Sequence, residues 1–180
     1  MSVLQEKYKK EVIPALMKEL KLSNIMEVPA IKKVVVNAGV GNFKDSKEAL
    51  EYFREELSQI AGQRPSGRKI KKSESGFKAR QGDMVGYAVT LRGQHMWAFL
   101  EKLINIVLPR VRDFRGLSRK AFDQSGNYSL GLSEHTIFPE VNPNTTKGIR
   151  HLQVTIVTNA KDKEKSEKLL SLMGVPFTKA

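Results

Sequence analysis

Between Arg64 and Arg80 the chain carries Arg64, Arg68, Lys69, Lys71, Lys72, Lys78 and Arg80 against a single acid, Glu74. Like charges this close repel one another, so a folded chain tolerates them best when a polyanion neutralises them, and the phosphates of a nucleic acid supply that charge. The whole sequence leans the same way: its 180 residues hold 31 Lys and Arg against 19 Asp and Glu, a formal net charge of +12. Asn37, Gln63 and Thr90 add short donors and acceptors of the kind used on ribose 2′-hydroxyls and base edges. The chemistry of these groups is recognition.

Catalytic patterns are thin by comparison. NAGVGNFK follows a strand and precedes a helix, where glycines let phosphate approach a helix N-terminus, but the motif stops at G-x-G and no third glycine follows. No G-x-x-x-x-G-K-[ST] loop occurs. His95, His135 and His151 stand apart, without metal-ligand spacing, and read as structural. The absence of cysteine excludes disulfides, thiolate catalysis and zinc knuckles. Acids such as Glu48, Glu51, Glu55 and Glu56 gather on one helix as a solvated face. The expectation is therefore no enzyme, no cofactor and no metal site. No apolar run approaches the roughly 20 residues of a membrane span, and MSVLQEKYKK lacks the order of a signal peptide, so a cytoplasmic protein without a membrane partner is expected.

These side chains need a scaffold, and hydrophobic period predicts one. Leu4, Tyr8, Val12, Leu16 and Leu20 place an apolar stripe on a helix over 2–22, which Pro14 should kink or split. A β-branched strand is expected from Ala30 to Ala38. Leu50, Phe53, Leu57 and Ile60 predict a helix over 45–61, with Asp45 and Glu48 spaced as a capping box and Gly62 as its stop. A basic strand over Arg68–Lys72 and the strand VGYAVTLRG form a hairpin. A helix over His95–Leu108 should end at Pro109. NYSLGL and His151–Thr158 read as strands, and Lys163–Met173 as a last helix; residues 110–126 show no clean period. The order β-α-β-β-α-β implies an α+β fold: an antiparallel sheet with helices packed on one face, a ferredoxin-like split βαβ core with extra terminal helices and an added strand. Length favours one domain, 1–180.

Strand alternation sorts the faces. Val85, Tyr87, Val89 and Leu91 point one way and Gly86, Ala88, Thr90 and Arg92 the other. Lys69 and Lys71 oppose Ile70; Leu152, Val154 and Ile156 oppose Gln153, Thr155 and Val157. In the first strand Lys33, Val35 and Asn37 share a face, and valine alone does not say which face is buried. A polar side assembled from Lys33, Asn37, Lys69, Lys71, Thr90 and Arg92 results, with small residues that let a backbone come close. It lacks the exposed aromatics of base-stacking sheets, which favours recognition of RNA shape. The turn-rich SESGFKARQGD, about 73–83, is expected to be a mobile loop, where Phe77, Lys78 and Arg80 either tuck back or reach a second RNA. DFRGLSRKAF mixes Arg115, Arg119 and Lys120 with Phe114 and Phe122, as RNA-contacting loops do.

The strings VVVNAGVG, LSQIAGQRP, KKSESGFKARQGD, LPRVRDFRGLSRKAFDQSGNYSLGLSEHTIFPE and LMGVPF, in this order, resemble the bacterial-type fifth protein of the large ribosomal subunit, in the universal family that binds 5S rRNA. The likeness runs from about Tyr8 to Phe177. It implies a structural ribosomal protein that binds 5S rRNA and helps fix it in the central protuberance beside 23S rRNA. It also implies contact with P-site tRNA and with a small-subunit head protein across an intersubunit bridge. The family's 5S-binding polar positions correspond to Asn37, Gln63 and Thr90, and its tRNA contact to the loop around Gly76–Gly82. Ser66, Arg68 and Ile70 depart from the small or β-branched residues usual there, and VNPNTTKGIRHLQ replaces a more acidic segment, so no bridge residue is carried over.

Overall fold

The computed structural model describes residues 2–41, 46–77 and 79–178. The first helix opens as α1 (Val3–Lys7), capped by the Ser2 hydroxyl accepting from Gln5 N–H, and resumes as α2 (Ile13–Glu19). Between them Tyr8–Val12 form a π-helical turn in which Ile13 N–H donates to Tyr8 O. This is the form the expected break at Pro14 takes: a proline has no N–H to give and its ring crowds the preceding turn, and a widened turn relieves both.

Next come β1 (Ile31–Gly39), α3 (Lys47–Ala61), β2 (Ser66–Lys69), β3 (Met84–Leu91) and α4 (Gly93–Lys102). The same π-helical device follows over Leu103–Val107, where Leu108 N–H donates to Leu103 O, and carries the chain into α5 (Leu108–Arg110). The helix expected to stop at Pro109 thus passes through it, because the bulge sits just where the proline would otherwise break a bond. The chain ends with β4 (Tyr128–Leu132), β5 (Leu152–Thr158) and α6 (Lys163–Leu172), the last capped by Asp162 accepting from Glu164 N–H. Helix α3 is capped by Ser46, whose hydroxyl accepts from Ala49 N–H at 3.4 Å; the expected cap Asp45 lies outside the described residues.

The strands form a five-stranded antiparallel sheet in the order β2-β3-β1-β5-β4. With β3 between β1 and β2, and β5 on the other side of β1, this is the expected split βαβ core, and β4 is the added strand at its edge. Strand β2 begins and ends earlier than Arg68–Lys72. Its register on β3 pairs Ser66 with Ala88, Gly67 with Tyr87 and Arg68 with Gly86, then shifts so that Lys69 meets Met84. The irregularity ends regular pairing: Ile70 still exchanges bonds with Asp83 and Gly82, at 2.9 and 3.0 Å, but Lys71 and Lys72 lie in a bend.

The chain forms two compact units, one of Met1–Val34, Leu91–Leu130 and Thr155–Ala180, the other of Val35–Thr90 and Gly131–Val154. In the first, Leu4, Val12 and Leu16 are buried together with Phe99, Leu100, Ile156 and Leu169, and the Tyr8 and Trp97 rings meet at 5.4 Å. The stretch without periodicity is held by the end of the chain: Leu117 N–H donates to Pro176 O at 2.8 Å, and Leu117 O accepts from Thr178 N–H at 3.0 Å. Phe122, Tyr128 and Phe177 close over it, their centroids 4.6–5.7 Å apart. Burial pushes the Tyr128 hydroxyl up to about 12, and it donates to Ser118 O. Gly126 holds φ +79°, where a Cβ would lie 2.7 Å from Asp162 O, so only glycine lets this turn reach the start of α6.

In the second unit Leu50, Phe53, Leu57 and Ile60 form the buried stripe of α3. The Tyr87 hydroxyl of β3 donates to Leu50 O at 3.2 Å, and the Phe53 and Tyr87 rings stand 6.3 Å apart. The segment 133–151 is fastened to α3 by His135, which is fully buried. Arg150 N–H donates to its Nδ1 at 3.1 Å, so the ring proton sits on Nε2, facing Glu56 Oε2 at 3.3 Å and Thr146 Oγ1 at 3.2 Å. Among the described residues no group of three or more potential ligands could hold a metal ion, and no helix is long and apolar enough to cross a membrane.

Candidate nucleic-acid interface

Helix α3 decides which side of β1 and β3 is covered. Val36 and Ala38 of β1, with Tyr87 and Val89 of β3, are buried on the helix side, which settles what valine alone left open. The opposite side of the second unit carries Asn37, exposed on β1, and Thr90, half-buried on the neighbouring strand β3. Between them the floor is made of small residues, Gly86 and Ala88, both buried although they face away from the helix. At Gly86 the neighbouring backbone is close: a Cβ there would stand 3.0 Å from Ala38 O. A shallow floor of peptide and methyl groups results, with polar side chains at its margin.

Register adds two residues that composition could not. Ser66 pairs with Ala88, its hydroxyl donating to Ala88 O at 3.2 Å, and Arg68 pairs with Gly86; both are exposed. Residues paired across antiparallel strands share a face, so Ser66 and Arg68 join the open side that alternation had assigned to Lys69 and Lys71. Lys69 is exposed at the end of β2 and Lys71 is exposed in the bend beyond it, off the strand where it was expected. Gln63 is exposed two residues after α3 ends, in the same unit.

Lys33 lies four residues along β1 from Asn37, and Arg92 follows the end of β3, two residues beyond Thr90. Both lie in the first unit, where they line a cleft of about 640 Å³ together with Lys32, Asn127, Asn159 and Lys161. Of the three loop residues, Arg80 is exposed and its N–H donates to Asp83 Oδ2 at 3.1 Å, while Lys78 and the side chain of Phe77 lie outside the described residues. The loop has bonds of its own: Glu74 and Ala79 exchange two backbone bonds of 2.9 and 3.1 Å, and the Ser73 hydroxyl accepts from Gln81 N–H.

Residues 24–80 match the family described as ribosomal protein L5, and residues 84–177 match the description of that ribosomal family's C-terminus. The chain belongs to the ribosomal protein L5 family. A large ribosomal subunit protein uL5 of Thermoanaerobacter is 50% identical over 179 residues, covering 99% of this chain and 100% of that protein. One of Fervidobacterium nodosum is 51% identical over 176 residues, covering 98% and 96%. The L5 family is one of ribosomal proteins rather than enzymes, in keeping with the want of any catalytic constellation in the sequence. The departures noted at Ser66 and Arg68 acquire a place in this L5-family chain: they sit on the open side of the sheet, at its outermost strand. Only the pairing of β2 with β3 could have revealed them, since within β2 they alternate out of step with Lys69.

Proposed function

We propose that the chain is a structural constituent of the large ribosomal subunit that binds 5S rRNA on the open side of its second unit and helps attach it in the central protuberance, next to 23S rRNA. The observation that carries the reading is the small-residue floor of Gly86 and Ala88 bordered by Asn37, Thr90, Ser66 and Arg68. Such a surface admits a ribose-phosphate backbone closely and offers directional groups to 2′-hydroxyls, and among the described residues it has no aromatic side chain for stacking single bases. Gln63 extends the same set, and Lys69 and Lys71 supply charge at its margin. The relatives' names, which place them in the large subunit, support the location. In this reading the loop at 73–83 touches P-site tRNA through Phe77, Lys78 and Arg80, and the protein meets a small-subunit head protein across an intersubunit bridge. The work is binding in the cytoplasm, within the ribosome, without catalysis.

The test is the 5S rRNA affinity of Asn37→Ala, Gln63→Ala and Thr90→Val, measured by filter binding beside thermal melting. Each should cost roughly 1–3 kcal/mol of RNA affinity, the scale of a hydrogen bond lost from a desolvated site. Melting should hardly move, because neither exposed Asn37 nor exposed Gln63 supports the core. Normal affinity per folded molecule in all three would remove the RNA from this side. Shortening the loop between Gly76 and Gly82 should spare 5S binding and weaken retention of P-site tRNA on ribosomes. Parallel loss of both would assign the loop to the 5S site instead.

A further inference from the structure

His135 and Arg150 stand at the two ends of one loop and join them twice. The His135 backbone N–H donates to Arg150 O at 3.0 Å, and Arg150 N–H donates to the ring Nδ1 of His135 at 3.1 Å. One bond of this neck is ordinary main chain; the other ends on an imidazole lone pair. Between them the chain 136–149 folds as a compact loop whose ends meet. Its interior is largely its own: Phe138 and Val141 are buried, Val141 N–H donates to Phe138 O at 3.2 Å, and Asn142 O accepts from Thr145 and Thr146 N–H at 3.2 Å. The loop lies along α3 on Glu48, Tyr52 and Glu56, spaced one turn apart. Lys147 pairs with Glu48 and the Tyr52 hydroxyl donates to Thr145 Oγ1 at 3.0 Å, both at the surface, whereas Glu56 meets the buried His135 ring. Exposed ties of this kind hold weakly, so the buried imidazole is the one that fastens the loop.

That imidazole has no spare place for a proton. Nε2 already carries hydrogen, facing Glu56 Oε2 and Thr146 Oγ1, so a second proton can enter only at Nδ1, the atom that accepts from Arg150 N–H. Two N–H groups would then face each other across the neck, in a site away from water. Burial weighs most against the charged ring and keeps it below its ordinary 6.5; Glu56 of α3 attracts an imidazolium, and Arg150 repels one. The Arg150 guanidinium donates to Gly148 O at 2.7 Å and lies 5.4 Å from the Phe53 ring, which itself meets the imidazole edge-on. Glu134, next to His135 in the chain, accepts from the Thr136 hydroxyl.

We propose that His135 is a proton-operated latch: uptake of a proton at Nδ1 breaks its bond to the Arg150 backbone and frees the loop 136–149 from α3, leaving the sheet folded. Opening returns the ring to water, where it binds the proton more readily than in the closed loop. The closed form is therefore favoured above pH 6.5, and acid favours opening from there down toward the lowered native value. The exposed polar surface of the loop, with Glu140, Asn142 and Asn144, is thereby presented at neutral pH and withdrawn in mild acid. The latch does not rest on the RNA reading and concerns the other side of the second unit.

Hydrogen exchange of the full-length chain, followed amide by amide in NMR and corrected for the intrinsic rate at each pH, reads loop opening directly. Wild type is compared with His135→Gln, whose amide offers a donor and an acceptor but takes up no proton in this range. In wild type the protection of the Val141, Thr146 and Arg150 amides should fall by roughly three- to fivefold between about pH 6.5 and about pH 5.5, within the tenfold per pH unit that one proton allows. Protection of Leu57 in α3 and Val89 in β3 should hold. In His135→Gln the three loop amides should keep the same protection at both pH values, whatever its level. Constant protection of these amides in wild type overturns the latch. An equal fall in the variant also overturns it, by assigning the release to another group, and so does an equal fall at Leu57 and Val89, which would be general unfolding. The ring nitrogens are read in the same titration by their ¹⁵N shifts. An imidazole protonated on both nitrogens while the loop amides stay protected would be a closed ion pair with Glu56, and the proposal would fail.

Discussion

The two sides of the sheet in the second unit are made from alternate residues of the same strands, yet they are built for different ends. On the covered side Val36, Tyr87 and Val89 meet the stripe of α3, and the buried imidazole of His135 is partnered by Glu56 and Thr146. On the open side the strands keep Gly86 and Ala88, and the polar groups Asn37, Ser66 and Arg68 are left facing outward. A covered face gains stability from large side chains that exclude water, whereas a recognition face does better with small ones that leave room for a partner's backbone. The contrast teaches that changes on one side should be read in melting temperature and changes on the other in affinity.

The largest effect belongs to the covered side. Phe53 is buried against Tyr87, with His135 edge-on at 5.4 Å and the Arg150 guanidinium 5.4 Å from its ring. Phe53→Ala should cost about 3–5 kcal/mol of stability in denaturant melts, while molecules still folded bind 5S rRNA as before. A loss of affinity per folded molecule would mean that the sides are not separable. On the open side, Arg68→Ala should cost roughly 1.5–3 kcal/mol of 5S affinity, the range for a hydrogen bond to a charged group, with a shallower salt dependence and unchanged melting. Unaltered affinity would leave Arg68 an ordinary solvated cation.

A smaller effect sharpens the account of the covered side. Burial pushes the His135 imidazole below its ordinary value of 6.5, outweighing the attraction of Glu56. The unfolded chain therefore binds this proton more readily than the native one, so the contribution is whole above pH 6.5 and declines as pH falls below it toward the lowered native value. The decline is at most about 1.4 kcal/mol per pH unit. Relative to His135→Gln, the wild-type protein should lose extra stability as the pH is lowered from 6.5 by about one unit. Extra stability on acidification would instead mean a charged imidazole paired with Glu56 in the native state.

Much of this contrast was legible in the sequence where neighbours along the chain determine the outcome. The alternation of β3, the stripe of α3 and the order of elements needed no partner to be read. What escaped depends on partners distant in sequence. Arg68 and Ser66 join the open side through the register of β2 on β3 and the shift after Arg68, which the run of cations hides. Lys71 looked like a strand residue because Ile70 alternates with it, but the irregular pairing turns the chain there. His135 reads as an isolated histidine until the fold brings Glu56 and the Arg150 backbone to its two nitrogens. The cleft that Lys33 and Arg92 line is completed by Asn127 and Asn159, which the sequence did not single out and whose role is to hold loops. Pro109 misleads for a local reason: a π-helical turn lets a helix pass through a proline that would otherwise end it.

The central claim is that RNA covers the open side of the second unit, and the absence of native cysteine makes it directly measurable. A single cysteine in Ser66→Cys lies on that side and one in Glu51→Cys lies on exposed α3; the rate of maleimide labelling reports whether each is covered. Bound to 5S rRNA, the protein should label slowly at position 66 and at its free rate at position 51, and digestion of the RNA should restore both. Labelling at position 66 that is as fast with RNA as without it would contradict the account.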